Sequence, residues 1–277
     1  MRRSITVIAG WMLPLLLLLA GCASDPVSVP PPSLTIGVYG DSRTNHDVHQ
    51  RVVDALILRQ PAAVFHAGDL VEDGLDPGQW EIFNTITANL RQMALFFPAL
   101  GNHEYNSPLY FANFELPGNE RWYRVLIDAI TFVVLDTGSD LDPGSEQYRW
   151  LEGHLQGIAP ADFSVAVFHY PPLSVGSHAA DEKGLLQSVV PLFEEYDVDV
   201  VFAGHDHAYQ RFFYNDIYYI VTGGGGAPLH DQARTSPYLQ VFLKEYHFCT
   251  LVRQNNQLRL EVFGTDSQLL DSCLVDP

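Results

Sequence analysis

From residue 34 onward the chain alternates short, continuous apolar runs with longer stretches whose apolar residues recur at helical spacing. The runs are LTIGVY before Gly40-Asp41, AAVFHA before Gly68-Asp69, ALFFPAL before Gly101-Asn102-His103, ITFVVL before Asp136, SVAVF before His169 and DVVFA before Gly204-His205. Helical spacing is carried by residues 47 to 59, 78 to 92, 145 to 156 and 181 to 195. This alternation predicts an α/β fold with a largely parallel strand set. The last third differs: DIYYIVTGGGG, EYHFCTLVRQ, NQLRLEVFG and SQLLDSCLV read as strands joined by short polar turns, with a hairpin at Gln254-Asn255-Asn256. An antiparallel part added to the parallel one is expected, and residues 34 to 277 read as one domain.

In such sheets ligands gather beyond the carboxyl ends of the strands. Asp41, Asp69, Asn102, His103, His169, His205 and His207 all fall there. A single Gly-Asp pair is an ordinary turn, but recurrence after successive strands makes a candidate metal site. Carboxylates, an amide and imidazoles together offer nitrogen and oxygen donors suited to manganese, iron, zinc or cobalt. The run Gly223 to Gly226 is not followed by Lys-Ser/Thr, so close backbone packing is expected there rather than a phosphate loop. Tyr170, Tyr209 and Phe212 sit next to ligand positions in sequence, where they either stack on a leaving group or belong to the core.

Composition narrows the picture. A hydrophobic content of 47%, with 12% aromatics, supports a sizeable core. A formal charge of -18 with 15 basic residues argues against nucleic acid binding through a basic face. Residues 1 to 21 read as an export signal, too short for a comfortable membrane span. Leu19-Ala20-Gly21-Cys22 resembles the bacterial lipoprotein processing box, which implies lipidation at Cys22, a membrane anchor in the cell envelope and a Pro-rich tether over residues 22 to 33. Ala23 after the cysteine favours the outer membrane of a Gram-negative cell. Cys249 and Cys273 remain either a disulfide or two buried thiols.

Gly40-Asp41, Gly68-Asp69, Gly101-Asn102-His103-Glu104, Phe168-His169 and Gly204-His205-Asp206-His207 resemble, in order and type, the calcineurin-like metallophosphoesterases. AGHDHAYQR, YIVTGGGGAPL and SEQYRWLEGHL are similar to the purple acid phosphatase branch. The resemblance spans nearly all of the chain from residue 34. It implies a four-layer α/β/β/α sandwich with two mixed sheets, and two divalent or trivalent metal ions (iron, manganese or zinc) acting on a phosphoester. It implies that Asp69 bridges the ions, that Asp41 and His207 complete the first site, and that Asn102, His169 and His205 complete the second. His103 would protonate or stabilise the leaving oxygen. Glu104 would orient His103 or lie at the surface, and Asp206 is expected to face water rather than orient an imidazole.

Departures from the family pattern concern the first site. Many members have His two positions after the first Asp, where this chain has Arg43. Purple acid phosphatases have Tyr three positions after the bridging Asp, where this chain has Glu72. A purple protein is therefore not expected. Water is the expected replacement ligand, with His46, His49 or Glu72 as alternatives. Arg43 suits a phosphate in front of the metals, or else a salt bridge to an acidic neighbour such as Asp41. The expected activity is phosphomonoester hydrolysis, with phosphodiester hydrolysis and a non-catalytic surface lipoprotein as alternatives. Residues 104 to 125 and 171 to 183 are the expected substrate-shaping loops.

Overall fold

The computed structural model describes residues 34–159, 162–254 and 256–276. The signal, Cys22 and the tether lie outside the described residues. In chain order the elements are β1 Thr35–Tyr39, α1 His46–Ile57, β2 Ala63–His66, α2 Pro77–Met93, β3 Leu95–Pro98, α3 Pro108–Asn113, β4 Tyr123–Ile127 and β5 Ile130–Val134. There follow α4 Glu146–Leu155, β6 Phe163–Val167, α5 Leu185–Ser188, α6 Val190–Glu195, β7 Val200–Ala203, β8 Tyr209–Tyr214 and β9 Ile217–Thr222. The last are β10 Leu239–Leu243, β11 His247–Gln254, β12 Gln257–Gly264 and β13 Leu269–Val275.

The strands form two mixed sheets, ordered β13-β12-β11-β1-β2-β3 and β10-β8-β9-β7-β6-β5-β4. β1, β2 and β3 run parallel, and β11 joins β1 antiparallel to bring in the C-terminal meander. In the second sheet β5, β6, β7 and β9 are parallel, flanked by antiparallel β4 and β8.

Side-chain alternation assigns each strand residue to a layer. Phe65, Val165 and Val167 point into the core between the sheets, while Val64 packs on α1 and α2 and Ala166 packs under α4 and α6. Both faces of these strands are therefore covered, which is why the sequence shows continuous apolar runs. The result is the four-layer α/β/β/α sandwich expected above. No helix among the described residues is long and apolar enough to cross a membrane.

Helical structure over 181 to 195 starts late and breaks. Asp181 accepts the backbone N–H of Leu185 and Leu186 to open α5, and the helix interrupts at Val189 ahead of Pro191, which has no N–H to donate. The expected loop 104 to 125 contains α3 and the start of β4.

Cys249 and Cys273 are both free. Cys249 stands opposite Val262 on β12, which in turn stands opposite Asp271 on β13, so a whole strand separates the two cysteine strands. Two inter-strand spacings are about 9.6 Å, beyond disulfide reach. Burial pushes the Cys249 thiol up to about 12 and the Cys273 thiol up to about 11, so both stay protonated.

Candidate metal centre

Five parallel strands deliver the seven candidate residues to one place. Asp41 follows β1, Asp69 follows β2, Asn102 and His103 follow β3, His169 follows β6, and His205 and His207 follow β7. Asp41, Asp69 and His205 adopt left-handed backbone, with φ of 56°, 58° and 69°. That conformation turns the chain sharply off the strand, and Asp and His tolerate it better than most residues. Two glycines make room: a β-carbon at Gly101 would collide with the Asp69 carboxylate, and one at Gly204 with that of Asp41.

Four acceptor atoms meet at one side of the Asp69 carboxylate. His169 Nε2 lies 2.9 Å from Asn102 Oδ1, 3.4 Å from Asp69 Oδ1 and 3.3 Å from His205 Nδ1. The other ring nitrogens fix the tautomers: His169 Nδ1–H donates to the Ala67 carbonyl at 2.9 Å, and His205 Nε2–H donates to Glu182 at 2.9 Å. With both rings neutral, lone pairs face one another with no side-chain donor among the four atoms, which is the chemistry of a cation site. Burial opposes a proton on His169, but the charges of Asp69 and Asp41 outweigh it and hold the imidazole above its ordinary range. His205 is driven down to about 4 by burial and by His169, so it is neutral.

Across the carboxylate, Asp41, Asp69 and His207 each bring a ligand atom within 4.8 Å of the others. His207 Nδ1–H donates to the Pro228 carbonyl at 2.8 Å, leaving Nε2 aimed at Asp41 Oδ1 at 3.5 Å. Burial works to raise the Asp41 carboxyl, but the hydrogen bond with His207 and the nearby imidazoles hold it well below the usual carboxylate range. Here a donor group is already present. Arg43 Nε lies 3.5 Å from Asp69 Oδ2, one terminal nitrogen lies 3.4 Å from His207 Nε2, and the other is paired with Glu72. The salt-bridge partners of Arg43 are thus Asp69 and Glu72. His46 is exposed, while His49 is buried between helices, 3.2 Å from the Tyr39 hydroxyl. Neither reaches this site.

His103 Nδ1 lies 2.6 Å from the Glu72 carbonyl, which turns Nε2 toward Asp69 Oδ2 at 3.8 Å. Glu104 is neither at the surface nor bonded to His103. It is fully buried and accepts the backbone N–H groups of Asp69, Leu70 and Gly101 at 3.0, 2.8 and 2.7 Å, tying the ends of β2 and β3 together. Burial and the charge of Asp69 push its carboxyl up to about 7.

Asp206 also departs from expectation. It is buried rather than facing water, and it accepts the His178 N–H at 3.1 Å, the His230 ring at 3.2 Å and the Ser174 hydroxyl. Burial favours its neutral form, yet these bonds hold it down at about 2. Through it His230 is stacked on His207, with ring centroids 4.1 Å apart. Both oxygens being engaged, Asp206 orients rings and is not a ligand site of its own.

Three residues beside the centre escaped the sequence reading: His178, whose ring lies 3.9 Å from that of His205, Glu182 on His205 Nε2, and His230. No strand end announces them. Tyr170 does pack on His205 at 4.4 Å, with Lys183 4.3 Å from its ring. Tyr209 and Phe212 belong to the core. The glycine run packs as expected, with Gly225 and Gly226 against the Gly40 and Ser42 carbonyls.

A family model described as calcineurin-like phosphoesterase matches residues 34–209. A probable purple acid phosphatase 20 of Arabidopsis thaliana is 30% identical over 187 residues, covering 57% of this chain and 44% of that protein. A nucleotide pyrophosphatase/phosphodiesterase of Hordeum vulgare is 24% identical, covering 76% and 70%. The solved purple acid phosphatase PPD1 of yellow lupin (Lupinus luteus) superposes with a TM-score of 0.80 at 20% identity, over 87% of this chain and 53% of that one. The chain thus spans less than half the length of several curated relatives it matches. The match over most of the folded region, with purple acid phosphatases among its relatives, places the chain in the calcineurin-like phosphoesterase family.

Proposed function

We propose that the protein is a metal-dependent phosphomonoesterase. The observation that carries this reading is the convergence of Asn102 Oδ1, His169 Nε2, His205 Nδ1 and Asp69 Oδ1 without a donor among them. Asp69 would be shared between two ions, with Asp41 and His207 on one and Asn102, His169 and His205 on the other. When bound, such ions lower the pKa of a water and draw charge off a phosphoryl group.

The chain's own residues supply the rest. Donation of Nδ1–H to the Glu72 carbonyl leaves His103 Nε2, 3.8 Å from Asp69 Oδ2, as the atom that passes a proton to the leaving oxygen. Arg43 lies beside the same carboxylates, with Nε 3.5 Å from Asp69 Oδ2, and its planar fork suits phosphoryl oxygens held there. Glu104 holds Asp69 and Gly101 in register.

Nitrophenyl monoester and diester substrates, assayed with manganese or zinc beside Asp69→Asn, test the reading. Monoester turnover lost in the variant is the expected result, and metal-independent turnover overturns it. The barley relative, matched over 76% of this chain, favours phosphodiester hydrolysis as the second reading. Export and anchoring through Cys22 are part of the proposal and rest on Leu19-Ala20-Gly21-Cys22. Labelled palmitate should enter the wild-type chain and not Cys22→Ser.

A further inference from the structure

We propose that Arg43 makes the two ion sites unequal: its guanidinium competes for the donors of the first site, so the protein retains one ion at the second site and takes up another only at much higher metal concentration. The inference rests on the metal-dependent reading above and deepens it.

The two sides of Asp69 differ in one respect. On the Asn102–His169–His205 side the acceptor atoms have no side-chain donor to satisfy them. On the Asp41–His207 side, Arg43 already reaches Asp69 Oδ2 at 3.5 Å and His207 Nε2 at 3.4 Å. An ion drawn to the first site claims those same two atoms. The guanidinium is a planar cation whose donors sit in a fixed fork. It must move, or share its donors beside a second positive charge at close range and in a partly water-excluded setting.

Arg43 is also held where it is. Its side chain is 15% exposed, and its outer nitrogen is paired with Glu72 at the cleft rim. That pairing occupies the carboxylate of Glu72, one of the alternative replacement ligands. Arg43 and Glu72 are the positions where the sequence departs from the family pattern, and the structure brings them together on the first site. The first site is left with Asp41, Asp69 and His207, Asp69 being shared with Asn102, His169 and His205 on the second.

Metal content and calorimetric titration of the full-length protein with Mn²⁺ provide the test. Wild type should retain about one ion per chain after dialysis, with a second binding at least about 100-fold more weakly. Asn102→Ala should lose the retained ion, whereas Arg43→Gln and Arg43→His should retain close to two. The histidine variant should bind the second more tightly, since it adds a donor as well as removing a charge. Melting curves identify any variant that fails to fold, and the two Arg43 variants serve as independent arms. Two ions bound with equal affinity by wild type would overturn the inference while leaving the metal-dependent reading intact. So would an unchanged second affinity in Arg43→Gln, or a retained ion lost in Asp41→Asn but kept in Asn102→Ala. No retained ion in wild type under any metal supply would remove both readings together.

Discussion

His169 Nε2 stands 2.9 Å from Asn102 Oδ1, although the first hangs from β6 in one sheet and the second from β3 in the other. An ion held between them would bind the sheets to each other. Saturating metal should therefore raise the melting temperature. At 100 times the dissociation constant the gain is about 2.7 kcal/mol. Calorimetry with and without a chelator measures this, and Asn102→Ala should abolish most of the shift.

Metal affinity should fall in acid. His169 and His207 are both held above the ordinary histidine range, in each case because nearby carboxylates outweigh burial. In metal-free protein the stability from these protonated rings is present in full below the unfolded histidine value and is lost as pH rises through their raised values. An ion must displace those protons. Its apparent affinity should thus climb with pH over the same window, and proton release on binding, seen as buffer-dependent heat, checks it.

Three other histidines act with the opposite sign. Burial drives His66 down to about 3 and His247 down to about 4, and it lowers His49 as well. All three fold as neutral rings. Their contribution is present above pH 6.5 and is lost as pH falls toward 4, because the unfolded chain binds the protons first. Urea midpoints between pH 7 and 4 should decline, and His247→Gln should flatten that decline.

Glu104→Gln removes one of two carboxylate oxygens that together serve four backbone N–H groups, and turns an amide donor toward donors. A buried mismatch of this kind costs about 1–3 kcal/mol. Metal affinity or turnover should drop about 10- to 100-fold, because Asp69 is positioned through Glu104. Melting temperature and metal content, read side by side, separate the two effects.

The candidate ligands were legible because each closes an apolar run at a strand end, where topology leaves little choice of position. The four-layer order rested on the family resemblance, since the runs themselves carry only an alternation of strands and helices. Asp206 faces inward rather than toward water for a local reason. In the structure the chain curls there, with Asp206 N bonded to the Gly204 carbonyl and Ala208 N to that of Asp206, which folds the aspartate inward. His178, Glu182 and His230 lie in connections without periodicity, so only folding could bring them to the centre. β8 escaped because YQRFFY mixes a glutamine and an arginine into the run; Gln210 turns out to be buried against Val175 N at 2.8 Å.

The left-handed turns at Asp41, Asp69 and His205 carry a consequence for how such a centre could decay. Aliphatic and β-branched residues are poorly accommodated at these backbone angles, whereas asparagine and glycine fit them readily. A descendant that lost the proposed hydrolysis would drift at these corners toward Asn or Gly, keeping the architecture while shedding the charge. Retired copies of this protein should be recognisable by neutral corners on an otherwise undamaged scaffold.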